Sequence, residues 1–443
     1  MSTERNFTRN HWLVLILFGA LGQIAWSVEN MYFNLFVFDT IDKNLDAITL
    51  MVQLSGVTAT VVTLIAGTLS DKLGNRRRFI SIGYIIWGAT VALFGFISVE
   101  GIAALFAMEH ARAVAVALTL VIVGDCVMTL FGSCANDAAF NAWVTDNTDE
   151  KNRGRIEGVL SILPLVAMLI VAGGFGILAE LLGYRMLFLL LGVLIVISGV
   201  VGIFKVRDSE QLRPTGRFRD ILYGFSPSVI AGNKPFYATL LIMLVYGVAC
   251  QIFMPYMIIY MKEYLGFSVM EYSVVFGLAI SLGAVINLFL TRMSDRLDKV
   301  RLLYIAAAVM SAGLIAMYLS RTSSHIANLI LFGISGFVMI TGYIFVSALS
   351  GSTLRDLTPE GAVGKLQGVR MVFMVLIPML VGPAIGNAIN KAMNITISDT
   401  SSADTMTTMY VPAPEIFLAA GLTSILIFAL IPLLSYFIRK KSK

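Results

Sequence analysis

Three carboxylic acids, Glu29, Asp125 and Asp137, interrupt long apolar stretches of the sequence. A charge at the centre of a membrane helix costs about 2.5 to 3.5 kcal/mol or more, so such acids are expected to face the interior of a helical protein. A buried carboxylate without a basic partner either takes up a proton or holds a cation such as Na⁺. No Lys or Arg lies nearby in these stretches, and the three histidines lie near stretch ends. We therefore predict that Glu29 and Asp125 bind and release a cation, and we assign Asp137 to the cytoplasmic loop network.

Polar and aromatic side chains share a helix face with each of the two predicted cation-binding acids. At about 100° per residue, Glu29 lies on one arc with an indole, a phenyl ring and amides, and Asp125 lies on an arc with hydroxyls and an amide. Sugar C–H groups stack on aromatic rings, while Asn and Gln supply paired donors and acceptors. The two faces therefore predict a site for a polyhydroxylated solute. The residues expected to contact it are Gln23, Trp26, Asn30, Asn34, Thr129 and Asn136.

The second half of the chain offers a less distinctive set of residues. Its apolar stretches carry no Asp, Glu, Lys or Arg in their central parts. Tyr246 and Gln251 in the seventh stretch and Tyr343 in the tenth suit the same ligand, because they combine aromatic rings with polar groups. We expect these three residues to complete the solute site.

The elements that must position these residues are membrane-spanning helices. The chain has 443 residues, of which 58% are hydrophobic and 13% are charged, whereas soluble domains have about 25% charged residues. A helix of about 20 apolar residues crosses a hydrocarbon core roughly 30 Å thick. The composition excludes an ordinary soluble enzyme, and without a P-loop, HExxH or GxSxG motif the sequence predicts neither an enzyme nor a cofactor. Twelve spans are predicted, at residues 12–38, 47–70, 79–99, 113–142, 156–181, 185–206, 235–261, 271–291, 302–320, 326–350, 366–390 and 415–438.

Basic residues indicate on which side of the membrane the loops lie. When the loops are assigned alternately, all but six of the 32 Lys and Arg residues fall on the side of the two termini. The positive-inside rule therefore places both termini in the cytoplasm of a cell membrane protein. The net charge of +5 is then explained by topology, and nucleic acid is not expected as a partner. We expect a monomer surrounded by lipid.

An internal repeat divides the chain into two halves. SDKLGNRR at 70–77 matches SDRLDKVR at 294–301, and TDNTDEKNRGRIEGV at 145–159 matches RDLTPEGAVGKLQGV at 355–369. The two spacings, 224 and 210 residues, differ, which predicts an insertion near residues 100–112. The predicted organisation is a six-helix bundle over 1–206, a cytoplasmic linker over 207–234 and a second six-helix bundle over 235–443.

The segment GTLSDKLGNRRR at 67–78 resembles the cytoplasmic signature of the major facilitator superfamily. Its position after the second span, its repetition after the eighth and the central charged loop extend the resemblance over essentially the whole chain. The resemblance implies an all-α membrane protein of two pseudo-symmetric six-helix bundles, which expose a central cavity alternately to the two sides. The second copy departs from the pattern, since Thr291 and Asp298 replace its two glycines.

The same signature predicts a cytoplasmic gate. An Asp at the end of one helix can bind the unpaired N–H groups and the positive dipole at the N-terminus of another helix. We expect Asp71 to contact residues 363–369 in this way, and Asp295 to contact residues 153–158. The residues assigned to the gate are Asp71, Arg76, Asp295, Arg153 and Arg155.

The confinement of the acids to the first half is similar to the cation site of the glycoside-pentoside-hexuronide:cation symporters, the melibiose-permease-like branch. The face of span 1 is also similar to that of the sucrose transporters, and Asp125 matches the span-four acid of the first branch. Its sodium-binding members carry acids on span 2, where this chain has Gln53, Ser55 and Thr58. The resemblance therefore implies symport of a sugar or glycoside with H⁺ or Na⁺, and the missing acids favour H⁺.

Two other functions remain open. Drug-proton exporters of the superfamily resemble one another in a Gly-Pro motif on span 5, where the glycines of this chain have no proline among them. Gly382 and Pro383 do form such a pair, but on span 11. A solute sensor that does not transport is the second alternative. The repeated gate motif counts against a sensor, because gates are needed where a cavity opens on alternate sides.

Overall fold

The computed structural model describes residues 7–148, 152–209, 212, 218–294, 298–359, 363–399 and 407–441. In this part of the chain, eleven helical segments are long and apolar enough to cross a membrane. The longest of them, Gly158–Lys205, has 48 residues and turns at Gly183, whose φ of +75° favours glycine. Because this segment holds two crossings, the described helices provide the twelve predicted spans.

The first six spans lie close to their predicted positions, and three of them contain a π-helical turn, in which an extra residue shifts the side-chain register. Each of the first four spans is one continuous helical segment: span 1 (Arg9–Thr40), span 2 (Leu45–Leu73), span 3 (Arg76–Phe94) and span 4 (His110–Asn147). Spans 5 and 6 comprise Arg153–Ile170, Val171–Phe175 and Gly176–Lys205. The π-helical turns are Glu29–Phe33 in span 1, Ser133–Phe140 in span 4 and Val171–Phe175 in span 5.

The last six spans follow two short helices, Phe218–Phe225 and Pro227–Gly232. They are span 7 (Lys234–Tyr264), span 8 (Val269–Ser294), span 9 (Lys299–Leu319), span 10 (His325–Leu357), span 11 (Val363–Met371, Val372–Leu376 and Ile377–Met393) and span 12 (Glu415–Lys441). Span 7 ends in the π-helical turn Tyr260–Tyr264, and Val372–Leu376 is the π-helical turn of span 11.

A further helix and a pair of strands also lie outside the twelve spans. A helix at Val99–Phe106 lies between spans 3 and 4, where the unequal repeat spacings predict an insertion. Thr396–Asp399 and Thr407–Tyr410 form an antiparallel pair of strands between spans 11 and 12, with Thr396 opposite Tyr410. The all-helical prediction holds for the spans, and this hairpin is a small departure from it in a loop.

The chain divides into two compact units, one of residues 1–42 with 57–221 and the other of residues 43–56 with 222–443. The predicted bounds of the bundles and linker, at 206 and 234, stay a prediction. The first turns of span 2 are held within the second unit, where Lys391 Nζ lies 2.6 Å from Asp46 Oδ1. Gln53 Nε2 also donates to the carbonyl of Leu380 across 2.8 Å.

Glycines let neighbouring helices approach closely in both units. A Cβ atom at Gly88 on span 3 would lie 2.5 Å from the carbonyl oxygen of Gly192 on span 6. In the second unit, a Cβ atom at Gly342 on span 10 would lie 2.3 Å from the backbone nitrogen of Met310 on span 9. Since real Cβ atoms do not come so near to backbone, a side chain at these positions forces the helices apart.

We expect Gly342→Ala to lower the melting temperature of the purified protein by several degrees, because overpacking costs about 1 to 3 kcal/mol. The measurement is thermal unfolding in detergent. Gly336→Ala is the matched control on the same helix, since a Cβ atom there meets nothing within 4 Å. That control is expected to leave the melting temperature unchanged or raise it, because Ala is the better helix former. Equal melting temperatures for both variants would contradict the packing argument.

Candidate functional site

Glu29 and Thr129 link spans 1 and 4 within the first unit. The Thr129 hydroxyl donates a hydrogen bond to Glu29 Oε1 across 3.3 Å. Asp125 lies one helical turn before Thr129, and both residues are 1% exposed. The polar faces that were predicted separately for the two spans therefore meet at this point, and the structure brings both candidate coupling acids to it.

A thiol and a hydroxyl group lie near the two acids. Glu29 opens the π-helical turn Glu29–Phe33, and such turns occur frequently at functional sites. Both acids lie close enough to the thiol of Cys126 to act on it electrostatically, and Thr58 of span 2 is a hydrogen-bond partner of that thiol. Span 2 thus brings a hydroxyl group to the acids rather than a further carboxylate.

Asp137 lies in a polar cluster of its own, three turns along span 4 from Asp125. Its carboxylate accepts hydrogen bonds from the Ser133 hydroxyl at 3.0 Å and from Asn136 Nδ2 at 3.2 Å. The Tyr84 hydroxyl on span 3 donates to Asn136 Oδ1 across 2.8 Å. No ion pair to Asp137 is formed by the residues that the structure describes. Asp137 was expected to join the cytoplasmic loop network, but its carboxylate accepts hydrogen bonds from neighbours on its own helix.

Two indole side chains, Trp26 and Trp87, lie beside this cluster. The rings of Trp26 and Trp87 have centroids 5.0 Å apart, and the Trp26 side chain lies close enough to Asp137 to interact with its carboxylate. The two indoles pack over Gly132, where a Cβ atom would lie 2.8 Å from Trp87 and 2.9 Å from Trp26. Only a residue without a side chain fits at this position, so Gly132 determines how near the rings come to span 4.

The asparagines predicted to bind the solute from span 1 are partly engaged by their own helix. Asn30 Nδ2 donates to the carbonyl of Trp26 at 2.7 Å, and Asn34 Nδ2 donates to the carbonyl of Asn30 at 3.3 Å. Asn34 is only 2% exposed, whereas Asn30 is exposed and Gln23 is half-buried. Of these three amides, Asn34 is therefore the least accessible to a solute.

In the second unit, two of the three predicted solute residues are neighbours. The rings of Tyr246 and Tyr343 lie with centroids 5.4 Å apart and an interplanar angle of 32°. Gln251 contacts span 11 instead, where a Cβ atom at Gly382 would lie 2.4 Å from the Gln251 Cβ. The tyrosines form an aromatic pair that a ring-bearing solute could extend, and the stem of Gln251 serves helix packing.

The gate residue Arg76 is the buried centre of an ionic cluster whose carboxylates are partly exposed. Its side chain is 4% exposed and forms ion pairs with Asp71 and with Asp146, the latter with Nε and Oδ2 2.9 Å apart. The Ser70 hydroxyl accepts a further hydrogen bond from Arg76 at 2.6 Å. Within the first unit, Asp71 is thus bound to the signature's own arginine. The expected contact of Asp71 with residues 363–369 stays a prediction.

The first residues of the central loop form hydrogen bonds near the same cluster. Asp208 Oδ1 accepts hydrogen bonds from the backbone N–H groups of Arg76 and Arg77, both at 2.9 Å, and so caps span 3. The indole N–H of Trp143 donates to the carbonyl of Arg207 across 2.7 Å. A carboxylate at a helix N-terminus also stabilises the helix dipole. The loop therefore positions the helix end that carries Arg76.

The remaining gate residues are described unequally. Asp295 lies outside the described residues, as does its predicted contact with 153–158. The backbone of Arg153 starts the helix of span 5, and its side chain lies outside the description. The guanidinium of Arg155 stacks on Trp12 of span 1, 4.9 Å from the ring centroid. Arg155 therefore has a partner within the first unit.

Several residues of these clusters escaped the sequence analysis. Tyr84 and Trp87 lie on span 3, which carries no acid to draw attention to its polar face. Asp146 was noted through the repeat, in which it matches Asp356, but its role as a partner of Arg76 depends on a contact across 70 residues. Asp208 lies in a charged loop where composition alone does not distinguish one acid from another.

Comparisons with known proteins agree with this architecture. Residues 12–383 match the family described as Major Facilitator Superfamily. A crystal structure of a single-residue mutant of the nucleoside transporter NupG is similar, with a TM-score of 0.67 at 13% sequence identity. The similarity covers 95% of this chain and 99% of that one. No curated protein matches in sequence. With twelve helical spans and a family match over most of its length, the chain is a multi-pass membrane protein that belongs to the major facilitator superfamily of transporters.

Proposed function

We propose that this transporter is a symporter, which couples the uptake of a sugar or glycoside to entry of a cation across the cell membrane. The observation that carries the proposal is the polar group of Glu29, Thr129 and Asp125 at the contact of spans 1 and 4. Acids inside a membrane protein are energetically costly, and those that occur usually bind an ion or a solute. Both termini lie in the cytoplasm in this proposal, as the positive-inside rule predicts.

A cation bound at this group would bias the transport cycle by neutralising charge. An ionised Asp125 resists the closure of the protein around it, because desolvation of a carboxylate is unfavourable. A bound proton or sodium ion removes that cost. The hydrogen bond from Thr129 to Glu29 links span 4, which carries Asp125, to span 1. A gradient that loads the site from one side then favours closure from that side.

The coupling ion in this proposal is a proton. Sodium needs several oxygen ligands, and the span 2 residue near the acids is Thr58, a neutral residue. The sodium-binding branch that the sequence resembles carries further acids on span 2, where this chain has neutral residues. Proton transfer needs only one carboxylate that gains and loses H⁺.

A sugar or glycoside is proposed as the solute because indoles and hydrogen-bonding groups stand together in the first unit. Trp26 offers a ring face and Asp137 offers a carboxylate next to it, which a hydrogen bond from Asn136 orients. Stacking on an indole with hydrogen bonds at the ring edge is the usual mode of carbohydrate recognition. The nucleoside transporter that shares the fold supports including nucleosides in the tests.

The decisive experiment is uptake by proteoliposomes under an imposed gradient. A panel of labelled sugars, glycosides and nucleosides is presented with a proton gradient, a sodium gradient or none. Accumulation of a sugar or glycoside above its outside concentration, driven by the proton gradient alone, is the expected result. Outward movement of apolar cations would instead indicate an exporter, and saturable binding without flux would indicate a sensor.

Replacing Asp137 by Asn is expected to raise the half-saturation concentration of uptake about tenfold. The carboxylate forms charge-assisted hydrogen bonds with solute hydroxyls, and the loss of about 1.4 kcal/mol corresponds to that factor. Glu109→Gln is the control, since Glu109 is an exposed acid at the start of span 4. Kinetics of uptake over a range of solute concentrations measure the effect. A half-saturation concentration equal to that of the wild type would leave Asp137 with a structural role only.

A further inference from the structure

Asp137 on span 4 carries a negative charge that no described residue balances. The Ser133 hydroxyl donates to Asp137 Oδ2 at 3.0 Å, and Asn136 Nδ2 donates to Oδ1 at 3.2 Å. Both donors are neutral, and within the described chain no Lys, Arg or His acts on this carboxylate. Hydrogen bonds to both oxygens favour the ionised form. A carboxylate accepts about four hydrogen bonds, so positions remain for a ligand.

The amide of Asn136 is oriented so that its amino group faces Asp137. The Tyr84 hydroxyl donates to Asn136 Oδ1 across 2.8 Å, which leaves the amino group for the carboxylate. Tyr84 is 0% exposed and Asn136 is 3% exposed, so water does not compete for these bonds. Gly22 of span 1 leaves space for the amide, since a Cβ atom there would lie 2.4 Å from Asn136 Oδ1. These fixed donors therefore suit a carboxylate that remains ionised.

Asp137 is not fully enclosed by its neighbours. Cys134 and Asp137 are half-buried and Asn141 is exposed, and these three residues follow one another at helical spacing on the same face of span 4. Trp26 of span 1, one of the residues predicted to bind the solute, is half-buried and close enough to interact with the carboxylate. A carboxylate that faces lipid is energetically costly. The accessible part of this face is therefore expected to line the path of the solute.

An indole next to an unbalanced carboxylate is a combination that binds ammonium groups. Trp26 supplies the indole, and the ring of Trp87, which is 0% exposed, packs against it with centroids 5.0 Å apart. The face of an indole attracts cations, and a carboxylate accepts charge-assisted hydrogen bonds from an ammonium group. A metal cation fits this place less well, because Ser133 and Asn136 direct hydrogens toward the carboxylate, whereas a metal needs oxygen ligands.

We propose that Asp137 and Trp26 bind a protonated amino group of the transported solute, which is accordingly an amino sugar, free or as a glycoside. The inference rests on the proposed transport of a sugar and narrows its chemical class. The ammonium group and the carboxylate neutralise each other, so the site carries no net charge when the protein closes around the solute. Glu29 and Asp125 remain the acids that bind the coupling ion in this proposal.

The test compares sugars that share one ring and differ in charge. Counterflow exchange is measured in proteoliposomes without any ion gradient, at a pH slightly below neutral, where the amines are largely protonated. The sugars are methyl β-D-glucoside, its derivatives with an amine in place of either the primary hydroxyl or the hydroxyl next to the anomeric carbon, and the N-acetyl forms of both amines. We expect the wild type to exchange at least one amine with a half-saturation concentration at least tenfold lower than those of the glucoside and of the matching N-acetyl form.

Variants of the two proposed residues test whether they recognise the charge. Asp137→Asn is expected to abolish the preference for the amine, and Asp137→Glu to retain part of it, because Glu keeps the charge. Trp26→Leu is expected to weaken the preference, and Trp26→Phe to weaken it less, because Phe keeps an aromatic face. Glu109→Gln, an exposed acid at the start of span 4, is the control and keeps the wild-type preference. A purely structural role of Asp137 would affect all the sugars alike and leave the preference unchanged.

Three outcomes would overturn the inference. Equal or better exchange of the glucoside by the wild type, or exchange of none of the sugars, contradicts an amino sugar as the solute. A preference that persists after N-acetylation shows that the positive charge is not recognised. A preference that Asp137→Asn leaves unchanged excludes the residue, and if that variant exchanges no sugar, loss of the preference in Asp137→Glu excludes it instead. Counterflow does not depend on a gradient, so a clear amine preference without gradient-driven accumulation would reject the proposed coupling while supporting Asp137.

Discussion

We expect the replacement of Asp125 by Asn to abolish gradient-driven accumulation of solute and to leave counterflow exchange in place. Asn has the size of Asp and keeps hydrogen bonds, but it cannot gain or lose a proton. Exchange without a gradient needs only that the loaded carrier changes its orientation, whereas accumulation needs a cation that binds and leaves. Glu29→Gln is expected to reduce accumulation at least tenfold as well, since Glu29 shares the hydrogen bond with Thr129.

Initial rates and final accumulation in proteoliposomes with a proton gradient measure both variants. Glu100→Gln is the matched control, because Glu100 is an exposed acid on the short helix Val99–Phe106, outside the spans. The variants are expected to lose accumulation but keep counterflow exchange, whereas the control is expected to keep both. Accumulation at the wild-type level in the double variant Glu29→Gln, Asp125→Asn would reject both acids as coupling groups, and the helical architecture would stand regardless.

We expect the replacement of Arg76 by Gln to lower both the stability of the protein and its transport rate. The guanidinium is buried against Asp71 and Asp146, whose side chains are 44% and 23% exposed. Water can solvate the two remaining carboxylates in part, so the cost stays below the about 3 to 5 kcal/mol of a fully buried ion pair. We expect a drop of several degrees in melting temperature and at least a tenfold loss of transport rate. Arg76→Lys is expected to recover part of the stability, but not the geometry that binds two carboxylates and a hydroxyl.

The comparison for Arg76 is Arg78→Gln, two residues along the same helix, where the side chain is exposed. Thermal unfolding in detergent and counterflow rates are measured for all three variants. If Arg76→Gln and Arg78→Gln behaved alike, the ionic cluster would be a surface feature without influence on the gate. A loss of transport with unchanged stability would show that the cluster acts in the cycle alone.

Much of the architecture was predictable from the sequence because it depends on patterns among residues that are close together in the chain. Each span needs about 20 apolar residues in succession, and this signal is independent of what the span packs against. The unequal repeat spacings predicted an insertion near 100–112, where the helix Val99–Phe106 lies. The turn at Gly183 lies in the gap between the predicted spans 156–181 and 185–206. Helical periodicity likewise placed Glu29 and Thr129 on faces that turned out to meet.

The partners of individual side chains were decided by the tertiary structure. Asp137 was assigned to a loop, yet it bonds to Ser133 and Asn136. The indole N–H of Trp143 donates to the carbonyl of Arg207, a contact across 64 residues that no local pattern predicts. The sequence by itself determined the spans, the repeat and the polar faces, because these depend on neighbours within a few turns. Contacts such as Arg76 with Asp146 join residues far apart in the chain, so they depend on how helices pack and no local pattern encodes them.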